Sequence, residues 1–212
     1  MEKVEFDGVS ASIIRGGRDY IYTVDLSKRI AETYELCVSK PTLIILETDW
    51  ESNLTPWQAK KVFKRGKDFG GNAKEYLSKV CRFISKTEEG NVVRRRMIAG
   101  YSLSGLFAVW TAYNTDMFSA VASISGSLWY EGFVEYASNH SFLANRAYFS
   151  VGDRESKTAN PIMSDVELLT KEICDKLASC GIKTKFELTE GGHFDNVTAR
   201  IAKAIDFLTE EI

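Results

Sequence analysis

The segment Arg96-Met97-Ile98-Ala99-Gly100-Tyr101-Ser102-Leu103-Ser104-Gly105-Leu106-Phe107-Ala108 constrains the fold more than any other stretch of the chain. A short apolar run suited to a buried strand passes through a glycine, a serine and small residues, and an apolar helical pattern starts at once. No loop separates the two, so strand and helix must join through a turn in which backbone lies against backbone. The positions two before and two after Ser102 then have to be small. Gly100 meets that demand, and Ser104 stands where a glycine is more usual, followed directly by Gly105.

The rest of the chain repeats the alternation. Thr42–Leu46 is a continuous apolar run, as expected of a strand covered on both faces. Strands are also expected over Arg96–Ala99, Ala120–Ile124, Arg146–Val151 and Lys183–Leu188, the last alternating polar and apolar. Helices are expected over Gly71–Ser85, Ser104–Tyr113, Ser164–Ala178 with Gly181 as its stop, and Thr198–Leu208. Ser12–Arg15 and Tyr20–Val24 read as an opening pair of strands around the Gly16–Gly17 turn. Alternation of this kind predicts an α/β protein, a mainly parallel twisted sheet with helices on both faces. Ligands in such sheets gather beyond the carboxyl ends of the strands.

Composition narrows the function classes. A chain of 212 residues with no Ser/Gly/Pro-rich linker and no internal repeat reads as one domain, 1–212. Its net charge of −2 advertises no nucleic-acid or anionic-lipid surface. The one dense basic run, Arg94-Arg95-Arg96, reads as a solvated loop before a strand. No apolar stretch is long enough to span a bilayer, and Met1–Phe6 is charged, unlike a signal peptide. Cys37, Cys81, Cys174 and Cys180 show neither CxxC spacing nor a disulfide framework, so free thiols in a cytoplasmic protein are expected. With two histidines and no clustered Cys/His ligands, no zinc and no other cofactor is expected.

A serine hydroxyl becomes a nucleophile only beside a base, and imidazole serves because it titrates near neutrality. His193 stands in Glu190-Gly191-Gly192-His193-Phe194, a glycine-rich loop between the last strand and the closing helix. His140, in Ser138-Asn139-His140-Ser141, reads as an exposed polar connection. The loop after Val151, Gly152-Asp153-Arg154-Glu155, offers two carboxylates to orient the imidazole. In the α/β-hydrolase fold the acid commonly sits three residues beyond a strand-ending glycine, which favours Glu155, with Asp153 as rival. The order serine, acid, histidine is that of the α/β-hydrolase fold. Ser102 at a helix start would have the Leu103 N–H beside it to stabilise an oxyanion.

These segments together resemble the Putative esterase family of α/β-hydrolases, which includes esterase D-like and siderophore esterases. Gly100–Ala108 is similar to the family's G-H-S-L-G-G-L-F-A turn, with Tyr101 and Ser104 as departures. Ser123-Ile124-Ser125-Gly126-Ser127-Leu128-Trp129-Tyr130 is similar to its S-x-S-x-S-L-W-W strand end, and the acid and histidine loops match as well. Glu47-Thr48-Asp49-Trp50 stands where relatives often carry L-D-G-x, so the resemblance implies a second oxyanion N–H from Asp49 or Trp50. It implies hydrolysis of small-molecule carboxylic esters, with no nucleic-acid or membrane partner and with homo-oligomerisation left open. Trp50, Trp57, Tyr101 and Trp129 are the expected substrate-binding residues, and no insertion is long enough for a large lid. Acyl transfer or thioester hydrolysis would use the same residues, and a non-catalytic binding protein would share the fold.

Overall fold

The computed structural model describes residues 1–24, 30–62, 66–158 and 160–211. The chain opens with β1 (Glu2–Phe6), β2 (Val9–Ile14), β3 (Gly17–Val24), α1 (Ile30–Leu36), β4 (Pro41–Glu47) and α2 (Trp50–Asn53). A small ribbon of β5 (Gln58–Ala59) and β6 (Phe69–Gly70) leads to α3 (Ala73–Thr87), β7 (Arg95–Tyr101), α4 (Leu103–Thr111) and β8 (Ala120–Ile124). Then follow α5 (Phe133–Asn139), β9 (Arg146–Gly152), α6 (Pro161–Ser164), α7 (Val166–Ser179), β10 (Lys183–Thr189) and α8 (Val197–Thr209). The main sheet has eight strands in the order β1-β2-β4-β3-β7-β8-β9-β10. Only β1–β2 and β2–β4 pair antiparallel; the pairs from β4 to β10 are parallel. This is the α/β-hydrolase fold, and no described helix is long and apolar enough to cross a membrane.

The pleat explains why the central strands are apolar without alternation. Successive side chains leave a strand on opposite faces. In β4, Leu43 and Ile45 enter one core with Met97, Ala99, Tyr148 and the inner face of α8. Ile44 and Leu46 enter the other, with Ile98, Phe149 and residues of α3, α4 and α7. Both faces are buried, so both positions of the repeat must be apolar. In β10, at the sheet edge, only Thr189 is buried, which is why that strand alternates.

Two expectations are corrected here. β2 and β3 are strands, but they do not pair with each other: β4 lies between them and bonds to both. The partner of β2 on its other side is β1, a strand that the sequence reading does not include. The arginine run is not a solvated loop. Arg94 and Arg95 both bond the buried Asp19 carboxylate, through contacts of 2.5 and 2.6 Å. Arg95 also reaches the carbonyls of Thr209 and Glu210 at the end of α8. Arg96 bonds Glu88, which in turn accepts the Tyr22 hydroxyl. The run therefore ties the amino ends of the central strands to α3 and to the end of α8.

Candidate active site

Three strand ends on one side of the sheet converge. Ser102 follows β7 directly and is the cap residue of α4, at φ 59°, ψ −125°. A non-glycine residue at positive φ is strained by about 1–3 kcal/mol and persists only where its surroundings hold it. Here the Ser102 N–H donates to the Ile124 carbonyl at 3.0 Å, while its own carbonyl accepts from Gly105, Leu106 and Ser127. Gly100 is required by contact: a Cβ there would lie 2.1 Å from the Ser104 carbonyl oxygen. The serine at position 104 is therefore accommodated, whereas any side chain at position 100 is not.

The histidine loop follows β10. Gly191, at φ +115°, redirects the backbone, and the His193 ring comes to rest with Nε2 3.2 Å from Ser102 Oγ. Its other nitrogen, Nδ1, lies 2.8 Å from Glu155 Oε2. Glu155 sits in the turn after β9 with a side chain only 4% exposed. Burial pushes its carboxyl up, but bonds from His193, Ser125 and the Gly152 N–H outweigh burial and hold it below the ordinary range. Asp153, the rival acid, is exposed and accepts the Gly191 N–H at 2.9 Å instead. With Asp153 N–H to Thr189 O and Arg154 N–H to Gly191 O, it joins the acid loop to the histidine loop. Arg154 pairs with Asp195 of the histidine loop. His140 caps α5, exposed, stacked on Tyr136.

The expected pocket residues separate. Ser102, Leu103, Trp50 and Trp129 line one cavity of about 140 Å3, together with Phe69, Lys61 and Lys67. Trp57 is not among the residues lining it: its ring packs on Tyr130 and Tyr136 and its N–H donates to the Glu131 carbonyl. Tyr101 does not line it either. Its hydroxyl donates to the His193 carbonyl and its ring lies 5.0 Å from the imidazole, so it bears on the histidine loop. Asp49 is exposed and caps the Ser52 N–H of α2. Asp49 and Trp50 follow β4, and the sheet order sets β3, not β4, beside β7. The segment after β3, residues 25–29, lies outside the described residues.

Two residues at the site are not among the expected site residues, Ser125 and Arg200, although Ser125 lies within the family-like segment Ser123–Tyr130. Ser125 donates to Glu155 Oε1 at 2.5 Å, and Arg200 Nη2 lies 3.1 Å from the same oxygen. A signal for Arg200 exists: it falls on the buried stripe of α8, between Val197 and Ala204, where a charge is out of place. Among the described residues, no group of His, Cys, Asp and Glu is arranged to hold a metal ion.

The comparisons agree with this architecture. The family model described as "Putative esterase" matches residues 28–179, a span that carries Ser102 and Glu155 and stops short of His193. The Bacillus subtilis (strain 168) protein YbbA is 32% identical over 189 residues, covering 81% of this chain and 76% of that protein. Among solved structures, an IroE-like serine hydrolase from Shewanella oneidensis superposes with a TM-score of 0.72 at 16% identity, over 94% of this chain and 74% of that one. The BES protein from Bacillus cereus gives the same TM-score and identity over 99% and 94%. At those identities the structures speak for the fold, and the family match carries the assignment. The chain belongs to the Putative esterase family, ester-hydrolysing enzymes on the α/β-hydrolase fold.

Proposed function

We propose that this enzyme cleaves carboxylic esters through Ser102 as nucleophile, His193 as general base and acid, and Glu155 as the orienting carboxylate. The observation that supports the reading is the unbroken chain from Ser102 Oγ to His193 Nε2 at 3.2 Å and from Nδ1 to Glu155 Oε2 at 2.8 Å. Glu155, held ionised, keeps the proton on Nδ1 and leaves Nε2 free to take the hydroxyl proton as Ser102 attacks the ester carbonyl. The Leu103 N–H, at the first turn of α4 where no carbonyl four residues back can engage it, stabilises the oxyanion. The imidazolium then protonates the leaving alcohol. An acyl group stays on Ser102 until a water, deprotonated by the same histidine, releases it as the acid.

Trp50 and Trp129 wall the space beside Ser102, and a cavity of about 140 Å3 suits a short acyl group. A short acyl ester is therefore the first substrate to test. Turnover of a chromogenic acetyl ester and labelling by a fluorophosphonate probe test the reading. Both should vanish in Ser102→Ala with the circular dichroism spectrum unchanged. Undiminished turnover in that variant overturns it.

A further inference from the structure

The mechanism above uses one oxygen of Glu155; the other is occupied in a way that the reaction does not call for. Oε1 accepts from the Gly152 N–H at 2.6 Å, from Ser125 Oγ at 2.5 Å and from Arg200 Nη2 at 3.1 Å. Arg200 Nη2 also donates to Ser125 Oγ. The arginine side chain is 3% exposed, and its Nε and Nη1 have no hydrogen-bond partner among the described residues. Ser125 is 1% exposed and, like Ser102, sits at positive φ, 46°. A guanidinium buried with two of its nitrogens unpartnered is costly to keep, as is a strained serine. Both costs converge on a single carboxylate oxygen.

We propose that Arg200 and Ser125 are positioning residues for ester hydrolysis, locking the Glu155 carboxylate with Oε2 toward His193 while the Arg200 charge keeps the Glu155–His193 pair unprotonated to lower pH. The proposal rests on the assignment of Ser102, His193 and Glu155 made above. Three donors on Oε1 fix the rotation of the carboxylate plane, so Oε2 has one direction left. The electrostatic half follows from charge alone. An added proton on the pair is repelled by a buried cation bonded to one of its members, whether that proton resides on the imidazole or on the carboxylate.

Other charged groups nearby do not duplicate this. In the acid loop, Asp153 and Arg154 are exposed, and Arg154 pairs with the exposed Asp195 of the histidine loop. On β10, Glu187 is neutralised by Lys203 of α8 and accepts the Tyr148 hydroxyl. Tyr101 of β7 bears on the histidine carbonyl. Among the described residues, Arg200 is the buried cation in direct contact with Glu155.

The test is the pH dependence of kcat/KM with the chromogenic ester in Arg200→Met, Arg200→Lys and Ser125→Ala. Arg200→Met should move the acid limb upward by about half a pH unit or more and lower the plateau at least tenfold. Arg200→Lys, which keeps the charge, should return the limb to its wild-type place even with a lowered plateau. Ser125→Ala should lower kcat with KM little changed. Loss of activity or stability in Arg200→Met with an unmoved limb overturns the electrostatic part, and a wild-type plateau in both Arg200→Met and Ser125→Ala overturns the positioning part. Should Arg200→Met not fold, a limb raised in Arg200→Lys by as much as half a unit refutes the claim. An active Ser102→Ala enzyme would refute the underlying assignment instead, so the two failures are distinct.

Discussion

Gly100→Ala tests the geometry that puts a serine at the end of β7. The added Cβ would stand 2.1 Å from the Ser104 carbonyl oxygen and 2.2 Å from its carbon, where ordinary contact begins near 3.4 Å. Both obstructing atoms are backbone, so no side-chain rotation relieves them; β7 and the first turn of α4 must part by about 1 Å. Overpacking of this kind costs about 1–3 kcal/mol, and backbone against backbone belongs at the upper end. For a chain of this size that lowers Tm by about 5–10 °C. The same movement carries Ser102, because its carbonyl is bonded to the N–H groups of Gly105 and Leu106 in that turn. A displacement of about 1 Å at a reacting group costs about 100-fold in rate. Differential scanning fluorimetry and initial rates on a chromogenic acetyl ester read both effects. Gly17→Ala is the control: its Cβ would meet nothing closer than the Lys40 oxygen at 3.4 Å, and it should leave both quantities near wild type. A Gly100→Ala enzyme melting within about 2 °C of wild type and turning over at a comparable rate would refute the argument.

The two carboxylates of the acid loop should separate cleanly. Glu155→Gln should lower kcat by about 10³–10⁴-fold, whereas Asp153→Asn, at an exposed carboxylate on the Gly191 N–H, should change it less than about tenfold; equal losses would reject Glu155 as the orienting acid. Asp19 should leave an acid signature in stability. Burial raises its carboxyl, but the bonds from Arg94 and Arg95 prevail and bring it down to about 2, below its ordinary 3.8. A depressed carboxylate stabilises the fold above its unfolded pKa and loses that contribution as pH falls through the folded one. The wild type should therefore exceed Asp19→Asn by about 2 kcal/mol in urea unfolding at pH 7, with the gap closing between pH 4 and pH 2; a gap independent of pH would show that Asp19 is not ionised by its arginines.

Much of the sheet was legible because burial on both faces writes itself into sequence as uninterrupted apolar runs, as in β4, β7 and β9. β1 carries no such mark: as an edge strand it buries none of its residues, and Glu-Lys-Val-Glu-Phe looks like solvent. The pairing of β2 and β3 misleads for a different reason. A glycine pair between two apolar runs is the local sign of a hairpin, and insertion of β4 between them is a decision of the whole sheet. The arginine run has its meaning only through Asp19 and Glu88, and Asp19 is brought near only when β3 lies beside β7. At the site, Ser102 and His193 were readable because a tight turn and a glycine-rich loop are local. The position of the acid in its loop already favours Glu155 over Asp153, whereas the roles of Ser125 and Arg200 on its second oxygen need chain ends assembled in space.

Backbone strain shows how those ends are held. The described non-glycine residues at positive φ are Asp7, Ser102, Ser125 and Asn196, and all but Asp7 border the site. Ser102 ends β7, Ser125 ends β8, and Asn196 opens the helix that carries Arg200. Strain survives where neighbours outweigh it: β8 and β9 are buried along their whole length, and β7 is buried from Met97 to Gly100. The fold thus spends core stability on aiming side chains at its carboxyl edge. Ser102 and Ser125 are also bonded to adjacent strands, through the Ile124 and Ser150 carbonyls, so a shift in one strand end is felt at the next. Gly100→Ala and Arg200→Met therefore perturb one linked array from opposite ends, the first by moving the hydroxyl and the second by freeing the acid. Combined, they should cost less than the product of their separate effects, since a serine already displaced from His193 gains little from a well-aimed Glu155. Strictly multiplicative losses would mean that the two ends act independently.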